Sequence, residues 1–338
     1  MGDPTEINKE KDYAKRAGVL LVSGFLAPVF CGKGSTQVQI KVGIVSTTFG
    51  YAPFFVAKEK GFYKNEGLDA EIIVMNRDDL ILQALVSDSV QFGTITPSLL
   101  FAVNQRGLTD AKMVAGAFNG TSYSLIALPK YKKLEDLKGG RLAVSGVASG
   151  STQMMKDILK QRGLIYPRDY ALFSVGGSTS RWQALQTKQV DAAVLAEPLS
   201  IIAMEQGFSN LAYAYKMLPD YQLSGVCVKE EWARRNRSVV VHFVRALASS
   251  FRWLHENREE AIDVLQKVTQ LSKQYIPNSW ETYTKFQIWP KDGSVNLKGM
   301  QTVIDILQDE GTLKKPLPRP EDLVDSSYLE EAKSSPGR

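Results

Sequence analysis

Residues 39–215 alternate short apolar runs with helix-like stretches, and that alternation admits few folds. Runs at 40–45, 71–75, 90–95 and 113–118 read as strands. Between them, Pro53, Asp78-Asp79 and Pro97 open helices, and Gly61 and Gly107 stop two of them. Such a strand–helix order predicts mostly parallel sheets with helices on both faces. A second series follows. Strands are expected at 124–128, 141–144, 170–175, 190–195 and near 211–215, with helices at 151–162, 181–188 and after Pro198. Residues 128–224 therefore form an α/β unit of their own, about a hundred residues long, the usual size of a domain. Beyond Gly225 the pattern turns helical. Val240, Phe243, Val244, Leu247, Phe251 and Leu254 recur at helical spacing within 238–257, and 261–268, 297–307 and 323–332 continue in kind.

The chain has 338 residues, 23% charged and 44% hydrophobic, with a net charge of +5. That is a globular composition, and so small and dispersed a positive excess gives no reason to expect a nucleic-acid partner. Near the start, Lys15-Arg16 precede a nearly uncharged run at 18–31. A basic flank before about a dozen apolar residues is the pattern of an export signal and is short for a membrane span. Residues 1–38 are read as signal and linker, which places the mature protein in the periplasm or at the cell surface. Cys31 suggests a lipid anchor, although Val29-Phe30 before it depart from the small residues of a bacterial lipobox. With Cys227 the only other cysteine, no disulfide framework is expected.

The turn at 145–150, Ser-Gly-Val-Ala-Ser-Gly, lies between a strand and a helix opened by Ser151-Thr152. Helix N-termini present unpartnered N–H groups and partial positive charge, and the serines add hydroxyls. Comparable turns recur at 46–51, 96–98 and 176–179. Catalytic and metal motifs are missing. His242 and His255 stand well apart on one helix, and no zinc, Walker, nucleophile-elbow or dinucleotide motif occurs. The spacing asks for no catalytic residues, cofactor or metal, although carboxylates alone can do acid–base work. Cys227 and Trp182 read as packing residues.

Three segments resemble one family in order. Residues 42–72 (VGIVSTTFGYAPFFVAKEKGFYKNEGLDAEI), 134–152 (LEDLKGGRLAVSGVASGST) and 181–198 (RWQALQTKQVDAAVLAEP) are similar to the substrate-binding proteins of ABC importers of the sulfonate, nitrate and taurine type. That superfamily includes binders of thiamine pyrimidine precursors and riboflavin. The resemblance covers about 39–332. It implies a two-lobe periplasmic-binding-protein fold, each lobe a mostly parallel sheet flanked by helices, with the ligand cleft at the hinge. Lobe one would comprise 39–126 plus 226–338 and lobe two 127–225. The implied partners are a small molecule and a membrane permease, and the protein would be a monomer. Lys188-Gln189 stand where relatives carry a glycine, and Glu197 varies among them. Pyrimidine-precursor synthases share the fold but carry a cysteine-rich motif and a histidine that this chain lacks.

Ligands of open α/β sheets sit beyond the C-terminal strand ends. The candidates in lobe one are Thr47, Thr48, Phe49, Tyr51, Thr96, Ser98, Asn119 and Tyr123; those in lobe two are Ser145, Ser149, Ser151, Thr152, Gly177, Ser178, Arg181 and Glu197. Several have structural alternatives: Phe49 and Tyr51 can staple a helix, Thr96 and Ser98 can cap one, and Arg181 can lie on a solvated face. Hydroxyls, helix N-termini and Arg181 favour a small organic anion such as a sulfonate or carboxylate. Phe49, Tyr51, Tyr123 and Glu197 favour a planar heterocycle, a pyrimidine or flavin.

Overall fold

The computed structural model describes residues 37–147 and 149–334. The export-like run at 18–31, Cys31 and the start of the mature chain lie outside the described residues. Strands β1 (Val38–Ile44), β2 (Leu68–Val74), β3 (Phe92–Ile95) and β4 (Ala111–Phe118) belong to one sheet. The chain then builds a second sheet from β5 (Tyr123–Ala127), β6 (Arg141–Val144), β7 (Ala171–Ser174), β8 (Ala192–Ala196) and β9 (Ser209–Tyr213). It returns to the first sheet as β10 (Ser224–Lys229). The spatial orders are β2-β1-β3-β10-β4 and β7-β6-β8-β5-β9.

Both sheets are mostly parallel, as expected: in each, four of the five strands run the same way, and one, β10 or β5, runs against them. β1 runs parallel to β2 and β3, and β6 parallel to β7 and β8. β10 is antiparallel to β3 and β4, and β5 is antiparallel to β8 and β9. The physical reason lies in the crossings. A strand–helix–strand connection within one sheet enforces parallel pairing. β5 and β10 are the strands by which the chain enters a sheet from the other one, so no such crossover constrains them.

Burial follows position. The central strands β3 and β8 are buried at every residue because helices cover both of their faces. Edge strand β7 is largely exposed, with Phe173 open to solvent. The helix Arg237–Glu256 turns Val240, Val244, Leu247, Phe251 and Leu254 inward, as its periodicity predicts. Its Phe243 ring stacks on Phe92 of β3, centroids 3.9 Å apart, and anchors the helical segment to the first sheet.

A helix at Ile276–Lys285 was not expected from the sequence pattern. Its apolar inward face is narrow, with Ile276, Ser279 and Tyr283 buried. Just after it, Trp289 donates from Nε1 to Gly50 O at 2.8 Å and stacks on Phe49 at 5.2 Å. The C-terminal segment thereby clamps the turn that follows β1.

Candidate ligand pocket

The strand orders explain where a pocket forms. β1 lies between β2 and β3, and β6 between β7 and β8, so the connections after these strands diverge to opposite faces of each sheet. Crevices open beyond the C-terminal strand ends at such points. The two crevices face each other and enclose one cavity of about 60 Å³.

From the first sheet, the turn after β1 supplies Ser46, Thr48 and Tyr51, and the end of β3 supplies Thr94 and Thr96. The turn after β2 brings Arg77, Asp78 and Asp79, and Phe118 closes β4. From the second sheet come Ser145, Gly146, Ser149, Gly150 and Ser151 after β6, then Gly177, Ser178 and Arg181 after β7. Ser122 and Tyr123 line the passage into β5, and Leu223 and Ser224 the entry to β10. Tyr283 arrives from the helix Ile276–Lys285.

The serine turn is internally bonded. Ser145 Oγ lies 2.5 Å from Ser149 Oγ and 3.0 Å from Ser151 Oγ, and Ser149 Oγ is 2.9 Å from Thr152 Oγ1. Thr152 Oγ1 donates to Gly146 O at 2.7 Å, which holds the loop in its curve. Ser149 is the N-cap of the helix Gly150–Lys160, yet its side chain makes no cap bond to the helix. Its hydroxyl joins the serine cluster instead, and the helix N-terminus stays directed at the cavity.

Gly150 has a specific reason. A Cβ there would stand 2.9 Å from Thr96 Cγ2 and 3.1 Å from Thr96 Cβ. Its φ is not in the left-handed region, so the requirement is close approach rather than backbone strain. The Gly150 carbonyl also accepts from Tyr221 Oη at 3.0 Å. At this point the two sides of the pocket approach each other closely.

Arg181 is 1% exposed, so it is a buried residue and not one on a solvated helix face. Nε donates to Val194 O at 2.7 Å, Nη1 to Gly176 O at 2.7 Å and Nη2 to Ser178 Oγ at 2.8 Å. The guanidinium lies over the Tyr123 ring, 5.8 Å from its centroid. Burial lowers its pKa, but a guanidinium stays protonated in proteins. Among the described residues it forms no ion pair, and beyond these three bonds its remaining polar neighbour is the Tyr123 side chain.

Asp78 is the opposite charge in the same cavity. It is 8% exposed and accepts from Thr96 Oγ1 at 2.8 Å. Burial raises its pKa, while the Thr96 bond and backbone N–H groups at the start of the helix Asp78–Val86 pull it back. The rings are also tied down. Tyr283 Oη lies 2.6 Å from Ser122 Oγ, and burial holds the hydroxyl protons of Tyr51 and Tyr283 well above the usual range.

Of the residues expected from the sequence, Thr48, Tyr51, Thr96, Tyr123, Ser145, Ser149, Ser151, Gly177, Ser178 and Arg181 line the cavity. The other six do not. Thr47 is exposed, and Phe49 is fully buried against Tyr283 and Trp289. Ser98 sits behind Thr96, its Oγ 3.3 Å from the Thr96 hydroxyl. Asn119 is pinned away by Nδ2 donating to Ser294 O at 2.7 Å, and Thr152 stands behind the serine cluster. Glu197 is buried beside the helix Ile276–Lys285, where desolvation raises its carboxyl from 4.5 to about 7 and a Thr282 hydrogen bond offsets part of this. Sequence reasoning missed Asp78 as a pocket residue, and with it Ser122 and Tyr283. Asp78 follows a strand end, as Thr48 and Ser178 do, and the same rule applied after β2 finds it. Tyr283 has no comparable local signal.

This is the fold of the periplasmic binding proteins, with a polar cavity between the two sheets. The chain belongs to the NMT1/THI5 like family, whose model matches residues 48–261. A Brucella abortus protein provisionally named a binding protein is 28% identical over 303 residues, 87% of this chain and 92% of its own. A Haemophilus influenzae protein provisionally named for thiamine biosynthesis is 26% identical over 278 residues, 79% of this chain and 85% of its own. Among solved structures, the periplasmic nitrate-binding protein NrtA from Synechocystis PCC 6803 superposes with a TM-score of 0.74 at 16% identity, covering 88% of each chain. The alkanesulfonate-binding protein SsuA from Xanthomonas axonopodis pv. citri gives 0.67 at 16% identity, covering 85% of this chain and 97% of its own. Among the described residues, no helix is long and apolar enough to cross a membrane.

Proposed function

We propose that this chain is the extracytoplasmic solute-binding component of an ABC importer. Two lobes, about 39–126 plus 226–338 and 127–225, close on a small ligand that carries an anionic group, and the loaded protein delivers it to a membrane permease. It acts as a monomer and by binding rather than catalysis. The observation that carries the reading is Arg181: a buried guanidinium facing the cavity without a carboxylate partner among the described residues. A buried cation of this kind is stabilised by an anion that completes its hydrogen bonds, and guanidinium pairs with sulfonate or carboxylate oxygens are among the stronger polar contacts. The serine hydroxyls and the N-terminus of the helix Gly150–Lys160 offer further donors on the same side. The export-like N-terminus and the similarity to named binding proteins support the setting.

A second reading, a pyrimidine-type heterocycle, is favoured by the rings of Tyr51, Phe118, Tyr123 and Tyr283 around the cavity. Calorimetry of the purified protein against short sulfonates, carboxylates, nitrate, aminopyrimidines and riboflavin separates the two. The anion reading expects saturable binding of an acid that disappears in Arg181→Ala. Binding of a neutral heterocycle alone, unaffected by that substitution, would replace it. Mass spectrometry of the incubated ligand tests the binding role, and turnover at a catalytic rate would overturn it.

A further inference from the structure

The cavity is not the only place where the two halves of the chain meet. The helix Gly150–Lys160 starts at the serine turn and carries Lys156 and Lys160 towards its far end. Across from them stand Asp309 and Glu310, which finish the helix Leu297–Asp309. Lys156 Nζ lies 3.1 Å from Glu310 Oε1, and Lys160 Nζ lies 3.8 Å from Asp309 Oδ2. Both side chains of the first pair are only 19% exposed, so solvent and salt screen it less than an ordinary surface pair. The second pair is largely exposed and contributes little by itself.

Local chemistry does not favour these carboxylates. A helix C-terminus carries partial negative charge, and acidic groups there are destabilising. Asp309 and Glu310 occupy the last helical position and the C-cap, and their own last turn holds no basic residue. The other helix supplies the cations. Each partner is fixed to its own half. The acidic helix packs on the helix Pro97–Asn104, and the segment after it is tied to the first half by Gln105, whose Nε2 donates to Lys314 O at 2.6 Å and whose Oε1 accepts from Lys314 N at 3.0 Å. The lysine helix packs on β8 of the second sheet. A space of about 330 Å³ remains at this seam, lined by both ion pairs and by Tyr166 and Tyr170. Charges therefore do much of the joining here, and such a contact can part without exposing a core.

We infer that the Lys156–Glu310 pair, seconded by Lys160–Asp309, is an electrostatic latch that holds the two lobes closed. This rests on the two-lobe closure proposed above and adds a device to it. Position couples the latch to the cavity. Gly150 and Lys156 lie on one helix, roughly 9 Å apart along its axis at about 1.5 Å of rise per residue. Drawing the serine turn towards the first sheet brings Lys156 to Glu310, and parting the pair frees the turn. The latch therefore governs how long a ligand stays rather than which ligand enters. Salt weakens it, because the screening length falls from about 30 Å at 0.01 M to about 3 Å at 1 M ionic strength.

The test is hydrogen–deuterium exchange of the full-length protein without ligand, read by mass spectrometry on segments 46–51 and 145–151, which line the cavity from the two sheets. Glu310→Gln at low salt should speed exchange of both segments at least threefold, while the helix Arg237–Glu256 exchanges as before. Lys156→Glu should act like Glu310→Gln, and adding Glu310→Lys to it should return exchange to within twofold of the unaltered protein. Should a variant fail to fold, the unaltered protein in 1 M potassium chloride answers the same question: its two segments should exchange at least threefold faster than at low salt. Unchanged exchange at 46–51 and 145–151, or a rise that the helix Arg237–Glu256 shares, overturns the latch. Either result leaves the solute-binding reading standing, since no ligand enters the experiment, and failure of that reading shows separately in the calorimetric panel.

Discussion

The second-sheet side of the cavity is made of small hydroxyls, glycines and one guanidinium, whereas the first-sheet side adds the rings of Tyr51 and Phe118 and the acidic pair Asp78-Asp79, with Arg77 bonded to Asp79, to its own hydroxyls. Ser145, Ser149, Ser151 and Ser178 need little volume, and their loops are held by bonds among themselves and to Gly146 O and Val194 O. On the other side, Tyr51 and Phe118 meet edge to face at 4.8 Å, and behind them Phe49 packs on Trp289 and Tyr283. One side is positioned by a local polar network and the other by an aromatic cluster that draws on residues more than two hundred positions apart. The difference implies separate roles: donors fixed in place for an acidic group, and a shaped wall that excludes water and carries the opposite charge.

The largest effect should come from Arg181. Arg181→Ala should weaken binding of an acidic ligand by roughly a hundredfold, since a charge-assisted pair in a buried site is lost. It should also lower stability by about 2–4 kcal/mol, because Val194 O and Gly176 O lose their donor. Calorimetry and thermal melting followed by circular dichroism measure the two separately. An equal loss for neutral ligands would move the role of Arg181 from recognition to scaffolding.

Glu197 sharpens the comparison through pH. Its carboxyl is raised from 4.5 to about 7 by burial. The folded state therefore holds a proton that the unfolded chain has released, and stability falls as pH rises from about 4.5 through about 7. Glu197→Gln should remove that decline and make the protein more stable at pH 8 by on the order of 3 kcal/mol at most. Urea melts of both proteins at pH 5 and pH 8 decide it, and parallel pH profiles would contradict the assignment.

Gly150→Leu tests the approach of the two sides. The added side chain collides with Thr96, so closure should be impaired and affinity reduced by about tenfold, or roughly 1.4 kcal/mol. Small-angle scattering should show less ligand-induced compaction than in the unaltered protein. Thr152→Ala should cost about 1 kcal/mol of stability, because its hydroxyl holds Gly146 O behind the serine cluster. Thr47→Ala should leave affinity and melting unchanged, since Thr47 is exposed beside the turn.

The two sides also differed in how far they could be read from the chain. Ser145, Ser149, Ser151, Gly177 and Ser178 were accessible because short glycine–serine turns at strand ends are a local signal. Arg181 was identifiable by position, but its burial was not, because that depends on β8 and on the turn after β7 folding around it. Asp78 resembles any acidic residue in a first helical turn, and its place just beyond the end of β2 is the signal that distinguishes it. Tyr283 lies on a helix whose apolar face is too narrow to stand out, and it reaches the site by tertiary packing alone. Thr152 and Phe49 failed in the opposite way: both types suit a site, yet each faces the scaffold. The alternation of elements identified an α/β fold with two units. It did not identify β5 and β10 as antiparallel, because strand direction there is set by crossings between sheets.

A crystal structure of the protein grown with the tightest-binding acid from the calorimetric panel tests the central claim most directly. The account predicts acidic oxygens within hydrogen-bond distance of the Arg181 guanidinium and of donors in the 145–151 turn, with Tyr51 and Asp78 of the other sheet enclosing the rest of the molecule. An acid bound outside this cavity, or held by one sheet with Arg181 still unpartnered, would contradict it.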